Sequence, residues 1–156
     1  MLPLQKIICP TDFSNFSYSA LEKANELAAH FGAELCVLHV TEPVTMIYGI
    51  SSFPGSITWD LPAYEQAVFE SAEQELAKLV ERHHFKTLKV RSMVRRGNPA
   101  DEIVSAAAQE GADLIVIATH GLTGWRQHIF GSVAEKVLRL AHCPVLVTRV
   151  AKPEGA

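Results

Sequence analysis

The sequence predicts an α/β fold in which a single doubly wound parallel sheet of five strands carries helices on both faces. Short apolar runs rich in β-branched residues alternate along the chain with longer segments whose apolar residues recur at helical spacing. One run, Leu114 to Ala118, is apolar throughout, which is typical of a strand buried on both faces of a parallel sheet. Alternating strands and helices are connected by right-handed crossovers, and this places helices on both faces.

The composition is that of one ordinary globular domain. The chain has 156 residues, of which 48% are hydrophobic and 20% charged, and this length suffices to bury a core. We expect one domain over residues 1–150 and a frayed polar tail at residues 151–156. Cys9, Cys36 and Cys143 lie far apart in apolar settings, which indicates buried reduced thiols rather than a metal or redox site.

Charge and hydropathy argue against some classes of function. The formal net charge of −3 does not suit a general nucleic-acid binder, which needs a basic face. No apolar run approaches the roughly 20 residues that span a bilayer. The amino-terminal residues, MLPLQKIICP, lack the basic region and long apolar stretch of a secretory signal. We therefore expect a cytoplasmic protein with neither a membrane nor a nucleic acid as partner.

The first part of the chain contains two predicted strands with a helix between them. Lys6 to Pro10 is a short apolar strand, and Glu34 to Val40 is the second. Ser14 is the predicted N-cap of the helix, and Gly32 stands where a left-handed residue closes it. The apolar residues of this helix share one face: Ala20, Leu21, Ala24, Leu27, Ala28 and Phe31.

The segment from Thr41 to Leu61 has no regular pattern. It contains prolines, glycines and serines with scattered aromatic residues. A connection of about 20 residues without regular structure is uncommon inside a compact domain. Three interpretations stay open: a loop that partly covers a site, a flexible insertion, and an interface flap.

A long helix and a third strand follow this segment. The helix begins at Asp60-Leu61-Pro62 and ends near His83-His84. The strand, Thr87 to Val94, alternates in polarity, so we expect one of its faces to lie nearer solvent. The residues of the helix predicted to face inward are Ala67, Val68, Ala72, Leu76, Leu79 and Val80.

Two further helices and the fifth strand complete the pattern. Asn98 caps the first of these helices and Gly111 ends it, with Ile103, Val104, Ala107 and Ala108 as its predicted buried stripe. The second opens at Gly131-Ser132 and carries Val133, Val137, Leu138 and Leu140 at helical spacing. Pro144 to Val150 is the last strand.

The stretch after the fourth strand has the features of an anion site. Thr119 to Gly124 is polar and contains glycines, and Gly131-Ser132 then opens a helix. Glycines let the backbone approach a ligand closely, and a helix N-terminus offers unpaired N–H groups with a partial positive charge. This arrangement favours the phosphates of a nucleotide.

Two other segments are expected at the same place. In an open parallel sheet the ligand crevice lies outside the carboxyl ends of the strands, where the strand order reverses. The turn Pro10-Thr11-Asp12 comes after the first strand, and His39-Val40-Thr41 is the end of the second. We therefore expect these segments to converge with the glycine loop in a single site.

Several motifs together resemble the universal stress protein family. They are P-T-D-F-S after the first strand, G-N-P at a helix start, T-H-G-x9-G-S after the fourth strand, V-A-E-K-V, and C-P-V-L-V. In order they cover almost the whole chain. The ATP-binding members of the family carry G-x2-G-x9-G-[S/T], and Gly121-x9-Gly131-Ser132 matches this pattern, whereas Ala118 replaces the first glycine.

The resemblance implies a Rossmann-like fold that binds ATP, with Mg²⁺ as an ion that can accompany the phosphates. It implies that Asp12, which Pro10 and Thr11 precede in the same turn, hydrogen-bonds near the adenosine. A carboxylate can accept hydrogen bonds from ribose hydroxyls or the adenine amine. The remaining implied contacts are Val40 to the adenine through its backbone, Ile117 and Ala118 to the nucleoside, and Gly121, Gly131, Ser132 and the Val133 N–H to the phosphates. Family members also commonly pair through their last strands, which implies a homodimer through Pro144 to Val150.

Some of these residues also have purely structural interpretations. Asp12 could cap the first helix or close a turn, and Ser132 is at least an N-cap. Arg126 is a candidate phosphate contact, while His120 is either a phosphate contact or a solvated side chain of the loop.

The sequence favours a regulatory binding module over an enzyme. No Walker lysine follows the glycines, and neither a nucleophile elbow nor an H-E-x-x-H motif occurs. Two alternatives stay open. The replacement at Ala118 fits a dimeric interaction protein that has lost nucleotide binding, and Asp12 as a metal contact would fit a slow ATPase.

Overall fold

The computed structural model describes residues 3–43, 60–86, 89–119 and 131–149. Strands and helices alternate along these residues as predicted. In chain order they are β1 (Lys6–Pro10), α1 (Asn15–Phe31), β2 (Glu34–Thr41), α2 (Leu61–Arg82), β3 (Val90–Arg96), α3 (Pro99–Glu110), β4 (Leu114–Ala118), α4 (Ser132–Leu140) and β5 (Val145–Thr148).

The strands form one five-stranded sheet in the order β3-β2-β1-β4-β5. Every neighbouring pair is parallel. The chain moves outward from β1 to β2 and β3, then crosses back through α3 to β4 on the other side of β1. This confirms the predicted doubly wound sheet and places its switch point between β1 and β4.

Two hydrophobic layers cover the two faces of the sheet. On one face α1 and α2 contribute Leu21, Ala24 and Leu76 to a buried cluster. On the other face α3 and α4 contribute Ile103 and Val137, among others, to a second cluster. The strands in the centre supply side chains to both layers, so burial on both faces accounts for the unbroken apolar sequence of β4.

Local capping chemistry sets several helix ends where the sequence predicts them. The Ser14 hydroxyl accepts the Ser17 N–H at 3.2 Å, and Asn98 Oδ1 accepts the Asp101 N–H at 3.3 Å. Gly32 and Gly111 close α1 and α3 with φ of 66° and 61°. These left-handed conformations favour glycine, as the sequence analysis assumed.

The structure corrects several predicted details. β3 begins at Val90 rather than Thr87, whose own position lies outside the described residues. Ala67 and Ala108 are exposed, although both were predicted to face inward. At 100° per residue Ala67 lies opposite Leu76 on α2, so the two cannot share a buried face. In α3 the buried stripe runs through Ala106 and leaves Ala108 on the solvent side.

The cysteines agree with the predicted burial at two of three positions. Cys9 and Cys36 are fully buried, whereas Cys143 is only half-buried. Desolvation raises the pKa of the Cys36 thiol to about 11, and burial also raises that of Cys9. Both thiols are therefore protonated at neutral pH and are poor nucleophiles and metal ligands.

Some predicted features fall outside the described part of the chain. They are most of the Thr41–Leu61 segment, His120, Gly121, Arg126, Val150 and the tail at residues 151–156. Of the predicted last strand, Val145–Thr148 is observed as β5. None of the helices in the described ranges is long and apolar enough to cross a bilayer.

Candidate functional site

A crevice is expected at the carboxyl edge of the sheet between β1 and β4. The ladder between these strands pairs Ile7 with Leu114 and Ile8 with Ile115, and both strands continue beyond these pairs toward the carboxyl edge. The chain leaves β1 toward one face, where α1 packs, and leaves β4 toward the other, where α4 packs. Because the chain leaves these adjacent strands toward opposite faces of the sheet, a crevice forms between them, and α/β proteins bind ligands in such a crevice.

The turn after β1 is held by hydrogen bonds from its own side chains. Thr11 is buried, and its hydroxyl lies 2.9 Å from that of Ser17 while accepting the Phe13 N–H at 3.1 Å. Asp12 Oδ1 accepts the Ser14 N–H at 3.0 Å. Asp12 thus closes a turn, which is one of the two structural roles that the sequence predicted for it. Its half-buried carboxylate has two oxygens and can accept more than one hydrogen bond.

The same turn is tied to the end of β2. The Thr11 N–H donates to the Leu38 carbonyl at 2.8 Å, and the His39 imidazole Nδ1 lies 2.8 Å from the Thr11 carbonyl oxygen. The His39 ring also packs on the Phe13 ring with a centroid distance of 4.5 Å. The predicted convergence of the β1 and β2 ends is therefore confirmed.

The amino terminus of α4 is fixed to the end of β4. The Gly131 N–H donates to the Thr119 carbonyl at 2.5 Å, and the Thr119 N–H donates to the Thr148 carbonyl at 3.0 Å. The first helical hydrogen bond runs from the Glu135 N–H to the Gly131 carbonyl at 3.0 Å. The N–H groups of Ser132, Val133 and Ala134 precede this bond and have no intrahelical acceptor, as in the first turn of any helix.

Ser132 does not have the capping role that the sequence predicted. Gly131 is the N-cap, with φ −69° and ψ 153°, and Ser132 is the first helical residue. The extended conformation of Gly131 moves the cap back by one residue, so the Ser132 side chain is exposed at the helix start. Its hydroxyl and N–H therefore stand at the same end of α4, where the helix dipole is positive.

The apolar residues predicted at the site lie beside the crevice. Pro10 is buried, and Ile117 is buried in the cluster below α3 and α4. Val40 is half-buried against the same cluster. Ala118, which stands in place of the family glycine, packs against the opposite cluster below α1 and α2. Its methyl group thus has a place in the core, which explains why alanine fits this position.

Two side chains at this edge make contacts that the sequence analysis did not predict. One is His39, which lies in the predicted segment His39-Val40-Thr41 and whose polar side chain in the apolar strand ELCVLHV was the available signal. The other is Lys136, whose ammonium lies 2.8 Å from Asp101 Oδ2 and 3.5 Å from Asn98 Oδ1. Lys136 therefore connects the first turns of α3 and α4, and no sequence pattern indicated this contact.

The arrangement can bind an anion and a neutral polar group side by side. N–H groups without an intrahelical acceptor and the helix dipole at α4 attract negative charge, while the Asp12 carboxylate accepts hydrogen bonds from hydroxyl or amino groups. Within the four described ranges no group of three His, Cys, Asp or Glu side chains is placed to hold a metal ion by itself.

Comparison with known proteins identifies close relatives of this chain. A family model described as the universal stress protein family matches residues 3–149. Universal stress protein MJ0531 of Methanocaldococcus jannaschii is 36% identical over 150 residues, which are 96% of this chain and 85% of that protein.

Solved structures agree with the fold. MJ0577 of Methanocaldococcus jannaschii superimposes with a TM-score of 0.79 at 27% identity, covering 96% of this chain and 99% of that one. A universal stress protein determined in complex with cAMP gives a TM-score of 0.60 at 25% identity, with 94% and 97% of the two chains covered.

Proposed function

Because this chain belongs to the universal stress protein family, we propose that it is a regulatory module of the stress response that binds ATP between β1 and β4. The observation that carries the proposal is that two chemically different groups, a carboxylate and a set of backbone N–H donors, follow neighbouring strands at the carboxyl edge of the sheet. The Asp12 carboxylate follows β1, and the α4 N–H groups that have no intrahelical acceptor follow β4, the next strand in the sheet. A nucleotide presents polar hydroxyl and amino groups at one end and phosphates at the other.

The phosphates would lie at the start of α4. Ser132 and Val133 offer backbone N–H groups there, and Ser132 adds an exposed hydroxyl. Gly131 adds no side chain between the helix and a ligand. Gly121, outside the described residues, is a further proposed phosphate contact from the family pattern. Arg126 and His120, also outside the described residues, are candidates because they lie in or near the same loop. When bound with ATP, Mg²⁺ would offset phosphate charge.

The nucleoside would lie toward the ends of β1 and β2. Asp12 would accept from a ribose hydroxyl or the adenine amine, and the Val40 backbone would contact the base. Pro10, Ile117 and Ala118 supply the apolar surroundings at this edge. The relative determined with cAMP supports an adenine nucleotide as the class of ligand.

We further propose a homodimer that pairs through β5. This strand lies at one edge of the sheet, and Leu146 on it is 40% exposed. An apolar edge strand has unpaired backbone groups that favour a second strand.

Calorimetric titration with ATP and with adenosine tests the nucleotide proposal. Gly131→Val should weaken ATP binding about tenfold or more, because the new side chain stands at the phosphate end, where a hydrogen bond to a charged group contributes about 1.5–3 kcal/mol. Adenosine binding should change little. The backbone of Gly131 is extended, so valine introduces no left-handed strain.

Ala141→Val is the matched control, since Ala141 caps the other end of α4 with a similar extended backbone, φ −63° and ψ 139°. This variant should bind ATP as the wild type does. If the wild type binds neither ATP nor adenosine, the proposed function is wrong. If the wild type and Gly131→Val bind ATP with equal affinity, the phosphates do not bind at the start of α4.

A further inference from the structure

We propose that His39 is a positioning residue that holds the turn presenting Asp12. This inference rests on the proposed nucleotide site. His39 lies in β2, one strand away from Asp12, and touches the residues on both sides of it. The sequence places its segment, His39-Val40-Thr41, at the site but assigns no role to its side chain. Its role would be to fix the direction of the Asp12 carboxylate, without contact to the ligand.

The first contact is a hydrogen bond on the amino-terminal side of Asp12. His39 Nδ1 lies 2.8 Å from the Thr11 carbonyl oxygen. A carbonyl oxygen only accepts, so Nδ1 carries the proton and donates. The bond is long-range and partly buried, whereas the contacts from Thr11 Oγ1 and Asp12 Oδ1 stay within the turn. With the Thr11 N–H bond to Leu38, it fixes both polar backbone groups of Thr11 to β2.

The second contact is on the carboxyl-terminal side of Asp12. The Phe13 ring lies 4.5 Å from the His39 ring, tilted by 36°. Phe13 has φ 62°, the one positive φ of a non-glycine residue in the described part of the chain. A bulky residue in this region is strained and stays there only when its surroundings hold it. The His39 ring is one of those surroundings.

Both contacts act on the same peptide segment. Thr11 is fixed through its carbonyl and Phe13 through its ring, so Asp12 between them has little freedom to turn. A leucine at position 39 would fill similar space but would leave the Thr11 carbonyl without this donor. The specific contribution of His39 is therefore the N–H that an apolar side chain lacks.

Two substitutions separate the donor from the bulk. His39→Leu removes the N–H and keeps an apolar side chain of similar size. His39→Asn places an amide nitrogen close to the position of Nδ1 and restores a donor. Both are purified alongside the wild type, and thermal unfolding confirms that each is folded at the temperature of the titration.

Calorimetry with adenosine and with ATP is the readout. His39→Leu should bind both ligands about tenfold more weakly and by the same factor, because Asp12 acts at the nucleoside end that they share. His39→Asn should regain most of the affinity. The inference is overturned if His39→Leu binds both ligands as the wild type does, if only ATP is affected, or if His39→Asn binds as weakly as His39→Leu. A wild type that binds neither ligand contradicts the proposed function itself, which is a distinguishable result.

Discussion

Asp113 ties the start of β4 to the start of β1 with a single carboxylate oxygen. Its Oδ2 accepts the Gln5 N–H at 2.8 Å and the Lys6 N–H at 2.9 Å. The Asp113 N–H donates in return to the Lys6 carbonyl at 2.9 Å. The backbone hydrogen bonds from Gln5 and then Lys6 lower the pKa of Asp113, because they favour the charged form.

This pKa shift predicts a contribution to stability that depends on pH. The folded-state pKa lies below the unfolded value of about 3.9, so the contribution is complete well above pH 4 and is lost as pH falls through the folded-state pKa. Asp113→Asn should therefore lower the free energy of unfolding at pH 7, and its difference from the wild type should shrink below about pH 4. Urea unfolding over a pH series measures this. Glu81→Gln, at an exposed position in the last turn of α2, is the control. A wild-type-to-Asn difference that is constant from pH 7 to pH 2 would contradict the prediction.

Residue types alone indicated part of the candidate site. Asp12 and Gly131 stand out in the sequence because one is a carboxylate that follows a strand and the other is a glycine that opens a helix. The cap was misplaced at Ser132 because serine is a better intrinsic cap than glycine, whereas the backbone entering α4 makes Gly131 the cap. The role of the His39 side chain was not predicted because its hydrogen bond joins residues that are 28 positions apart.

At the scale of elements, α4 depends on its neighbours for its orientation. It has only nine residues, and an isolated helix of that length is marginal in water. Ala134 and Val137 bury its inner face, and Lys136 adds the polar contact to Asp101 and Asn98 on α3. The amino terminus of α4 is thus positioned against that of α3.

The Lys136–Asp101 contact should therefore show energetic coupling. Their side chains are 35% and 53% exposed, so a coupling free energy of about 0.3–1 kcal/mol is expected. A double-mutant cycle of Lys136→Met and Asp101→Ala, followed by urea unfolding, measures it. The reference is the same kind of cycle on Lys23 and Glu26, an exposed ion pair within α1 that does not join two helices. ATP affinity should fall about two- to fivefold in Lys136→Met.

The two single substitutions have equal effects on ATP binding if Lys136 acts by positioning α4. An increase in ATP affinity on Asp101→Ala would instead show that Asp101 competes for Lys136 with a phosphate. Additive free energies of unfolding in the cycle would contradict the coupling.

Helices were predicted from sequence more accurately than the edge strand. Ser14, Asn98, Gly32 and Gly111 mark their helix ends by local chemistry, and the structure confirms all four. The predicted start of β3 was too early in the sequence because polar and apolar residues alternate there and no apolar run marks the strand. Pairing with β2 determines where β3 begins. Ala67 in α2 and Ala108 in α3 were wrongly predicted to be buried, because alanine is compatible with either side of a helix.

At the scale of the whole molecule, β5 should set the oligomeric state. Leu146→Arg places a charge on the apolar edge strand and should convert the proposed dimer into monomers. Sedimentation velocity measures the mass directly. Tyr64→Arg, at a 50% exposed position on α2, is the control and should leave the dimer intact. A wild type that sediments as a monomer, or a Leu146→Arg variant that stays dimeric, would contradict pairing through β5.

The topology could be predicted because the alternation of strands and helices leaves few parallel arrangements. The strand order β3-β2-β1-β4-β5, which sets the switch point between β1 and β4, is seen only in the structure, because doubly wound sheets occur with more than one strand order. What the sequence could not provide is which strand ends are linked by side chains, since the β1–β2 link through His39 is a tertiary contact. The cytoplasmic location stays a prediction from the sequence.

The central claim is that the turn after β1 and the start of α4 form one nucleotide site. A titration of ¹⁵N-labelled protein with ATP, followed by amide NMR, tests it most directly. We predict chemical-shift changes at Asp12 and Phe13 and at Ser132 and Val133 together, with the same apparent affinity. Gln5 and Asp113, at the opposite edge of the sheet, should not respond. Shifts at only one of the two segments, or at the opposite edge instead, would contradict the claim.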